Sequence, residues 1–97
     1  MLKKIDIDKL LEIIQKENRA EIRFFFNNKD ISGGNLVLER AYISDNSLIL
    51  RIEKATLEVA VRFSYIASIE FNDRFKVAMI NLDFDEDYQI FFLFEAA

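Results

Sequence analysis

The chain has 97 residues, a net charge of −4, 52% hydrophobic residues and ten phenylalanines. This length supports one domain with one modest core, so we predict a single domain over residues 1–97. The acidic balance disfavours non-specific nucleic-acid binding, which depends on clustered Lys and Arg. Because the sequence has no Cys and no His, it excludes disulfides, thiolate chemistry, the commonest general base and the usual zinc ligand.

The N-terminal residues MLKKIDID lack the apolar segment of a signal peptide. No apolar run approaches the roughly 20 residues that a membrane-spanning helix needs. We therefore predict a cytoplasmic protein without membrane contact.

A helix is predicted at about residues 5–18. Asp6 is a good N-cap, because its carboxylate can accept a backbone N–H of the first turn. Asn18 can end the helix in a left-handed conformation. Helical spacing forms one apolar stripe, which consists of Ile7, Leu10, Leu11 and Ile14.

Antiparallel strands are predicted over about residues 20–95, because apolar and polar residues alternate there. Two adjacent glycines, Gly33 and Gly34, suggest a bulge or sharp bend before a strand that bends between two environments. Polar clusters at 27–30 and 44–47 predict turns. The strands include Glu21–Phe26, Asn35–Ile43, Leu48–Glu53, Phe75–Leu82 and Tyr88–Phe94.

The stretch from Leu57 to Asn72 predicts a strand, a tight bend at Ser64-Tyr65 and a second strand. Ile66 and Ile69 are spaced as one short helical turn would place them. The predicted fold is therefore α+β, with the N-terminal helix packed on a strongly bent antiparallel sheet or small β-barrel of five to seven strands.

Several of these features resemble Sm-like small β-barrel proteins. A helix with a charged end precedes the apolar strand Glu21–Phe26, a polar turn and a glycine bend follow, and the sequence FSYIASIEF comes later. The resemblance covers about Asp8 to Phe71 and implies a small barrel that forms RNA-binding oligomers. The family's RNA-binding motifs have no counterparts here, and pleckstrin-homology-like domains share the strand–turn–strand pattern with the helix placed last.

The acidic loop near the C-terminus has the alternate spacing of a calcium loop, at Asp83, Asp85 and Asp87. However, Tyr88 occupies the position that needs glycine, and Phe94 occupies the position of the last ligand. A solvated hairpin loop is the simpler interpretation, and we predict no metal site and no cofactor.

The last strand is apolar on both faces, since Phe91 and Leu93 lie opposite Tyr88, Ile90, Phe92 and Phe94. Such a strand indicates either burial on both sides within the domain or contact with a second subunit or a partner. The region from Val77 onward carries five acids and no Lys or Arg. Such a region can dock a basic protein partner or mimic the charge of nucleic acid, and the alternative is a charge run on a solvated face. We therefore expect a homo-oligomer or a protein partner, and the predicted contact residues are Asp83, Asp85, Glu86, Asp87, Tyr88, Phe91 and Leu93.

Four arginines come from four different strands. If their faces coincide, they form a basic stripe for RNA with an aromatic residue for base stacking. The alternative is cross-strand pairing with nearby glutamates. The RNA-binding candidates are Arg23, Arg40, Arg51, Arg62 and Tyr65.

No catalytic constellation is visible, because the serines have no His partner. The sequence thus predicts a non-enzymatic protein-interaction module, an adaptor or a small inhibitor of another macromolecule, which uses an apolar strand and an acidic loop. Its small size and acidity would suit a phage-type inhibitor. The alternative hypothesis is an Sm-like oligomeric RNA-binding protein.

Overall fold

The computed structural model describes residues 2–17, 19–55, 57–83 and 87–95. Over these residues the chain forms one α-helix, nine β-strands and one turn of 3-10 helix at Phe63–Tyr65. In chain order the elements are β1 Leu2–Lys4, α1 Ile7–Lys16, β2 Arg19–Phe26, β3 Lys29–Asp30, β4 Leu36–Ser44, β5 Ser47–Ile52, β6 Glu58–Arg62, β7 Ile66–Asn72, β8 Val77–Asp83 and β9 Asp87–Glu95.

The strands form one antiparallel sheet in the order β1-β7-β8-β9-β2-β4-β5-β6, and β3 also pairs with β2. The sheet does not close, so the barrel that the sequence suggested is wrong. A barrel needs its two end strands to pair, whereas the end strands β1 and β6 of the described sheet do not pair with each other. The predicted five to seven strands are also too few, because the short strands β1 and β3 were not foreseen.

Strand β4 carries the bend of the sheet. Leu36 and Val37 pair with β2, whereas the residues from Leu38 onward pair with β5. The register shifts between Leu38 and Arg40, which is the signature of a β-bulge. Gly33 and Gly34, which lie just before β4, have φ angles of +75° and +144°. The predicted bend is therefore confirmed, with glycine where the backbone enters conformations that other residues rarely adopt.

Helix α1 packs against the inner face of the sheet, the face that carries the buried core. Its predicted N-cap is confirmed, because the Asp6 carboxylate accepts the Lys9 backbone N–H at 2.8 Å. The helix spans Ile7–Lys16 with Glu17 as its C-cap, so the predicted range was too long, and Asn18 lies outside the described residues. Leu10 and Ile13 are buried in the core, which anchors the helix to the sheet.

The core is built by alternate residues of the strands. In a strand, successive side chains point to opposite faces, and the buried set follows this period along β8, β9 and β5. Its largest fully buried members are Leu10, Ile22, Leu48, Leu50, Ile80 and Phe92.

The stretch from Leu57 to Asn72 forms β6, a helical turn and β7, as the sequence predicts. The helical turn lies at Phe63–Tyr65, so Ile66 and Ile69 belong to a strand instead. None of the described residues form a helix long and apolar enough to cross a membrane.

Candidate functional site: an uncovered apolar face of the sheet

The outer face of the sheet, which points away from α1 and the core, carries a group of apolar side chains. Along β9, Ile90 and Phe92 are buried while Leu93 is 38% exposed, as the alternation predicts. The register places Met79 opposite Phe91 and Val77 opposite Leu93. We call the set the outer patch; its members are Phe25, Phe75, Val77, Met79, Phe91 and Leu93.

Aromatic rings form the centre of the outer patch. The rings of Phe25 and Phe91 lie 4.9 Å apart at 57°, a tilted geometry typical of favourable aromatic pairs. Phe75 is 67% exposed. It borders a shallow apolar cavity of about 400 Å³ that Val77, Met79 and Phe91 also line. The outer patch therefore offers both projecting rings and a depression that could receive a side chain.

A hydrogen-bonded row of polar side chains lies beside the outer patch. The Asn81 amide donates to Ser68 Oγ and to Glu70 Oε1, each at 2.9 Å. Gln89 Nε2 donates to Asn81 Oδ1, also at 2.9 Å. Because these groups satisfy one another, the row holds three strands in a fixed arrangement and gives the patch a defined polar border.

The acidic end of the β8–β9 hairpin lies beyond this row on the same face. Asp83 and Asp87 are directly opposite in register, and like charges in such positions destabilise a sheet. Strand alternation places both on the outer face with Phe91 and Leu93. The other predicted acids, Asp85 and Glu86, lie outside the described residues.

No group of three or more acidic side chains that could hold a metal ion occurs within residues 2–17, 19–55, 57–83 and 87–95. Tyr88, which the sequence also predicts as a contact residue, is directed elsewhere. It pairs in register with Leu82 and lines a cavity on the inner side of the sheet. Strand alternation thus places Asp83, Asp87, Phe91 and Leu93 on one face of the sheet, with the polar row between the two acids and the two apolar residues, and Tyr88 on the other face.

Two of the predicted RNA-binding arginines form ion pairs. Arg23 contacts Glu21 at 2.6 Å and Asp30 at 3.3 Å, and its guanidinium also donates to Asn35 Oδ1. Hydrogen bonds from Ser32, together with Arg23, hold the pKa of Asp30 below its usual value. Arg51 contacts Glu39 at 2.6 Å and Glu58 at 3.9 Å. Both guanidinium groups are therefore already engaged by carboxylates.

The remaining candidates are spread over the other half of the sheet. Arg40 lies opposite Arg51 and stacks over the Tyr42 ring at 4.6 Å. Arg62 lies at the end of β6, where it lines a cavity with Tyr65. The four arginines therefore lie on four different strands, and Glu21, Glu39 and Glu58 pair with Arg23 and Arg51 among them.

Residues of the outer patch that sequence reasoning did not assign as contacts are Phe25, Phe75, Val77 and Met79. The sequence does contain the relevant pattern, because Phe75, Val77 and Met79 are alternate residues and would lie on the same face of a strand. The pairing of β8 with β9 was needed to place them beside Phe91.

No family model, no curated protein and no solved structure matches this chain.

Proposed function

We propose that the chain is a non-enzymatic protein-interaction module, an adaptor or small inhibitor of another macromolecule, that binds its partner through the outer patch. The supporting observation is the apolar surface across β8 and β9, with Leu93 38% and Phe75 67% exposed. Apolar surface removed from water contributes roughly 25 cal/mol per Å². Contiguous exposed apolar surface on a folded domain is typical of an interaction site.

The charges around the outer patch indicate the chemistry of the partner. Asp83 and Asp87 oppose each other at one end of the same face. A basic group of a partner would relieve their repulsion and would be steered towards them. The proposed partner surface therefore has an apolar centre, which covers Phe91 and Leu93, and basic side chains towards the hairpin end. The alternative protein partner is a second copy of this chain.

Site-specific photo-crosslinking tests this function. A photoreactive phenylalanine replaces Phe91 in the full chain, expressed in cells that naturally make the protein. The matched control places the same residue at Tyr42, an aromatic position on the outer face of β4. We expect a discrete adduct with another protein at position 91 and none at position 42. The additional change Leu93→Arg should abolish the adduct, because it puts a charge in the centre of the patch.

Adducts of equal yield at both positions, or adducts that survive Leu93→Arg, would contradict the proposal. An adduct with the chain itself would identify the partner as a second copy. Light scattering should then show a dimer that Leu93→Arg converts to a monomer.

The RNA-binding hypothesis makes a different prediction. Binding through phosphate contacts weakens steeply with salt, and stacking would involve Tyr65 beside Arg62. Arg23 and Arg51 would first have to leave their carboxylate partners. We therefore expect no salt-dependent shift of single-stranded RNA. A shift that Arg62→Ala reduces and Leu93→Arg leaves unchanged would favour the RNA-binding function over ours.

A further inference from the structure

Strand β6 is an end strand of the sheet, and one of its edges is free. The Phe63 N–H donates to the Asn46 carbonyl and the Ile52 N–H to the Leu57 carbonyl, which fixes which residues face β5. Since the facing residues alternate, Val59 and Val61 bond to β5. Glu58 and Ala60 then direct their N–H and C=O groups away from the sheet, as Arg62 does with its N–H, and no other described strand pairs with them. The Arg62 carbonyl is not free, because Arg62 caps the 3-10 turn and its carbonyl accepts the first bond of that turn.

A large cavity borders β6. Its volume is about 720 Å³, and four consecutive residues of β6, Val59–Arg62, line it. Phe24 of β2 and Ile90 of β9 also line it. This volume lies within the roughly 300–1,000 Å³ of typical ligand sites. The cavity wall and the unpaired backbone groups thus belong to the same strand.

We propose that the free edge of β6 and the cavity beside it form a groove that binds an extended peptide segment of a partner protein. The segment adds to the sheet as a further strand, and its backbone pairs with Glu58, Ala60 and the N–H of Arg62. Main-chain pairing of this kind supplies affinity, while pockets for alternate side chains supply specificity. A lipid or other apolar small molecule would fill the cavity without satisfying the backbone groups.

The register defines the side chains that the groove accepts. Val59 and Val61 point inward, so the peptide residues opposite them point inward too and enter the cavity. The segment therefore carries two apolar residues separated by one residue of any type. This groove shares no side chain with the outer patch except Phe25, which lines the cavity.

The charge of Arg62 defines one further position of the bound peptide. Arg62 forms no ion pair with any described residue, although Asp45 lines the same cavity. Glu58, at the other end of β6, already accepts the Tyr42 hydroxyl and lies near Arg51. An acidic peptide residue opposite Arg62 is therefore favoured.

The test is selection from a phage-displayed library of random peptides on the immobilised full chain. The matched surface carries the variant Ala60→Pro, which removes a free N–H without removing a bond to β5, at an edge position where proline is tolerated. We expect enriched peptides with the apolar–any–apolar pattern next to an acid. Their affinity for Ala60→Pro should fall about tenfold, as expected for an unmatched backbone group.

A charge exchange keeps the test decisive even if Ala60→Pro does not fold. Arg62→Glu should weaken the acidic peptides at least about twofold. The same peptides with lysine in place of the acid should regain binding to Arg62→Glu.

The proposal is overturned if no peptide is enriched, or if enriched peptides bind the wild type and Ala60→Pro equally. It is also overturned if Arg62→Glu binds acidic and basic peptides alike. Binding that Phe91→Ser alone removes would assign the peptides to the outer patch and support only the proposed function. A wild-type dimer that Ala60→Pro makes monomeric would show that a second copy occupies the edge, which also overturns the proposal.

Discussion

Phe91 and Phe92 are adjacent in the sequence and face opposite sides of the sheet, so replacing each with alanine tests which side is buried in solution. The Phe92 side chain is fully buried in the core. Phe→Ala changes at such sites cost about 3–5 kcal/mol, since they lose apolar burial and leave a cavity. With a urea dependence of about 1.5 kcal/mol per molar, Phe92→Ala should lower the unfolding midpoint by about 2–3 M.

Phe91→Ala should cost much less. The residue is half-buried, and its specific contact is the tilted pair with Phe25 at 4.9 Å. Such pairs contribute about 0.5–1.5 kcal/mol beyond their buried area. We expect a total loss of about 1–2 kcal/mol and a midpoint shift of about 0.7–1.3 M.

Urea unfolding followed by far-ultraviolet circular dichroism measures both shifts, at two protein concentrations for each variant. A loss for Phe91→Ala as large as that for Phe92→Ala would refute the reasoning, because it would mean that the outer patch is not a free surface. If that loss also depended on protein concentration, a second copy would cover the patch.

Three further predictions concern local structure. Asp6→Ala should lower the free energy of unfolding by about 1 kcal/mol through loss of the helix cap. Asp8→Asn, at a position that does not cap the helix, should lower it by less in the same urea titration. Gly34→Ala should lower the free energy of unfolding by about 1–3 kcal/mol, because alanine is strained at φ +144° even though nothing lies within 4 Å of the added Cβ. Thermal unfolding should show the loss, and an unchanged midpoint would contradict the assigned backbone angle. The hydrogen bond that Tyr42 donates to Glu58 raises the pKa of Tyr42. The stabilising contribution of this hydrogen bond is therefore present below a tyrosine's ordinary pKa near 10 and is lost as the pH rises through the elevated pKa. Glu58→Ala should move the titration of Tyr42 to lower pH. Ultraviolet difference absorbance, with Tyr42→Phe as the reference, measures the titration, and an unchanged titration would rule out Glu58 as the cause.

Local patterns in the sequence were sufficient to predict most individual elements. Asp6 caps the helix because a carboxylate there satisfies a backbone N–H whatever the tertiary context. The alternation from Tyr88 to Phe94 predicted a strand with two apolar faces, and that strand is observed. The glycine pair predicted the bend before β4 through the backbone angles that only glycine readily adopts.

The strand order could not be predicted, because it depends on pairing between distant segments. The apolar pattern of β9 is compatible with several neighbours, and only the folded chain shows that it lies between β8 and β2. Strand β1 has only three residues, Leu2–Lys4, all exposed, so it carries no alternating apolar pattern that would predict a strand. The arginine partners also depend on register. Arg51 contacts Glu39 and Glu58 across neighbouring strands, rather than Glu53 nearby in sequence.

Both proposed surfaces follow from the ratio of helix to sheet in this chain. Helix α1 has ten residues, which span about 15 Å. The ordered path contains eight strands, which at about 4.8 Å per strand would extend roughly 34 Å if the sheet were flat. One such helix cannot cover even one face of that sheet, so the sheet bends around its own inner face at the β4 bulge.

This bend buries the inner side chains and leaves the outer face without a covering layer, which exposes Phe91 and Leu93. Because β6 does not pair with β1 at the other end of the described sheet, it retains a free edge beside a cavity. A longer helix or a closed barrel would have removed one of these surfaces, and this chain has neither within the residues described.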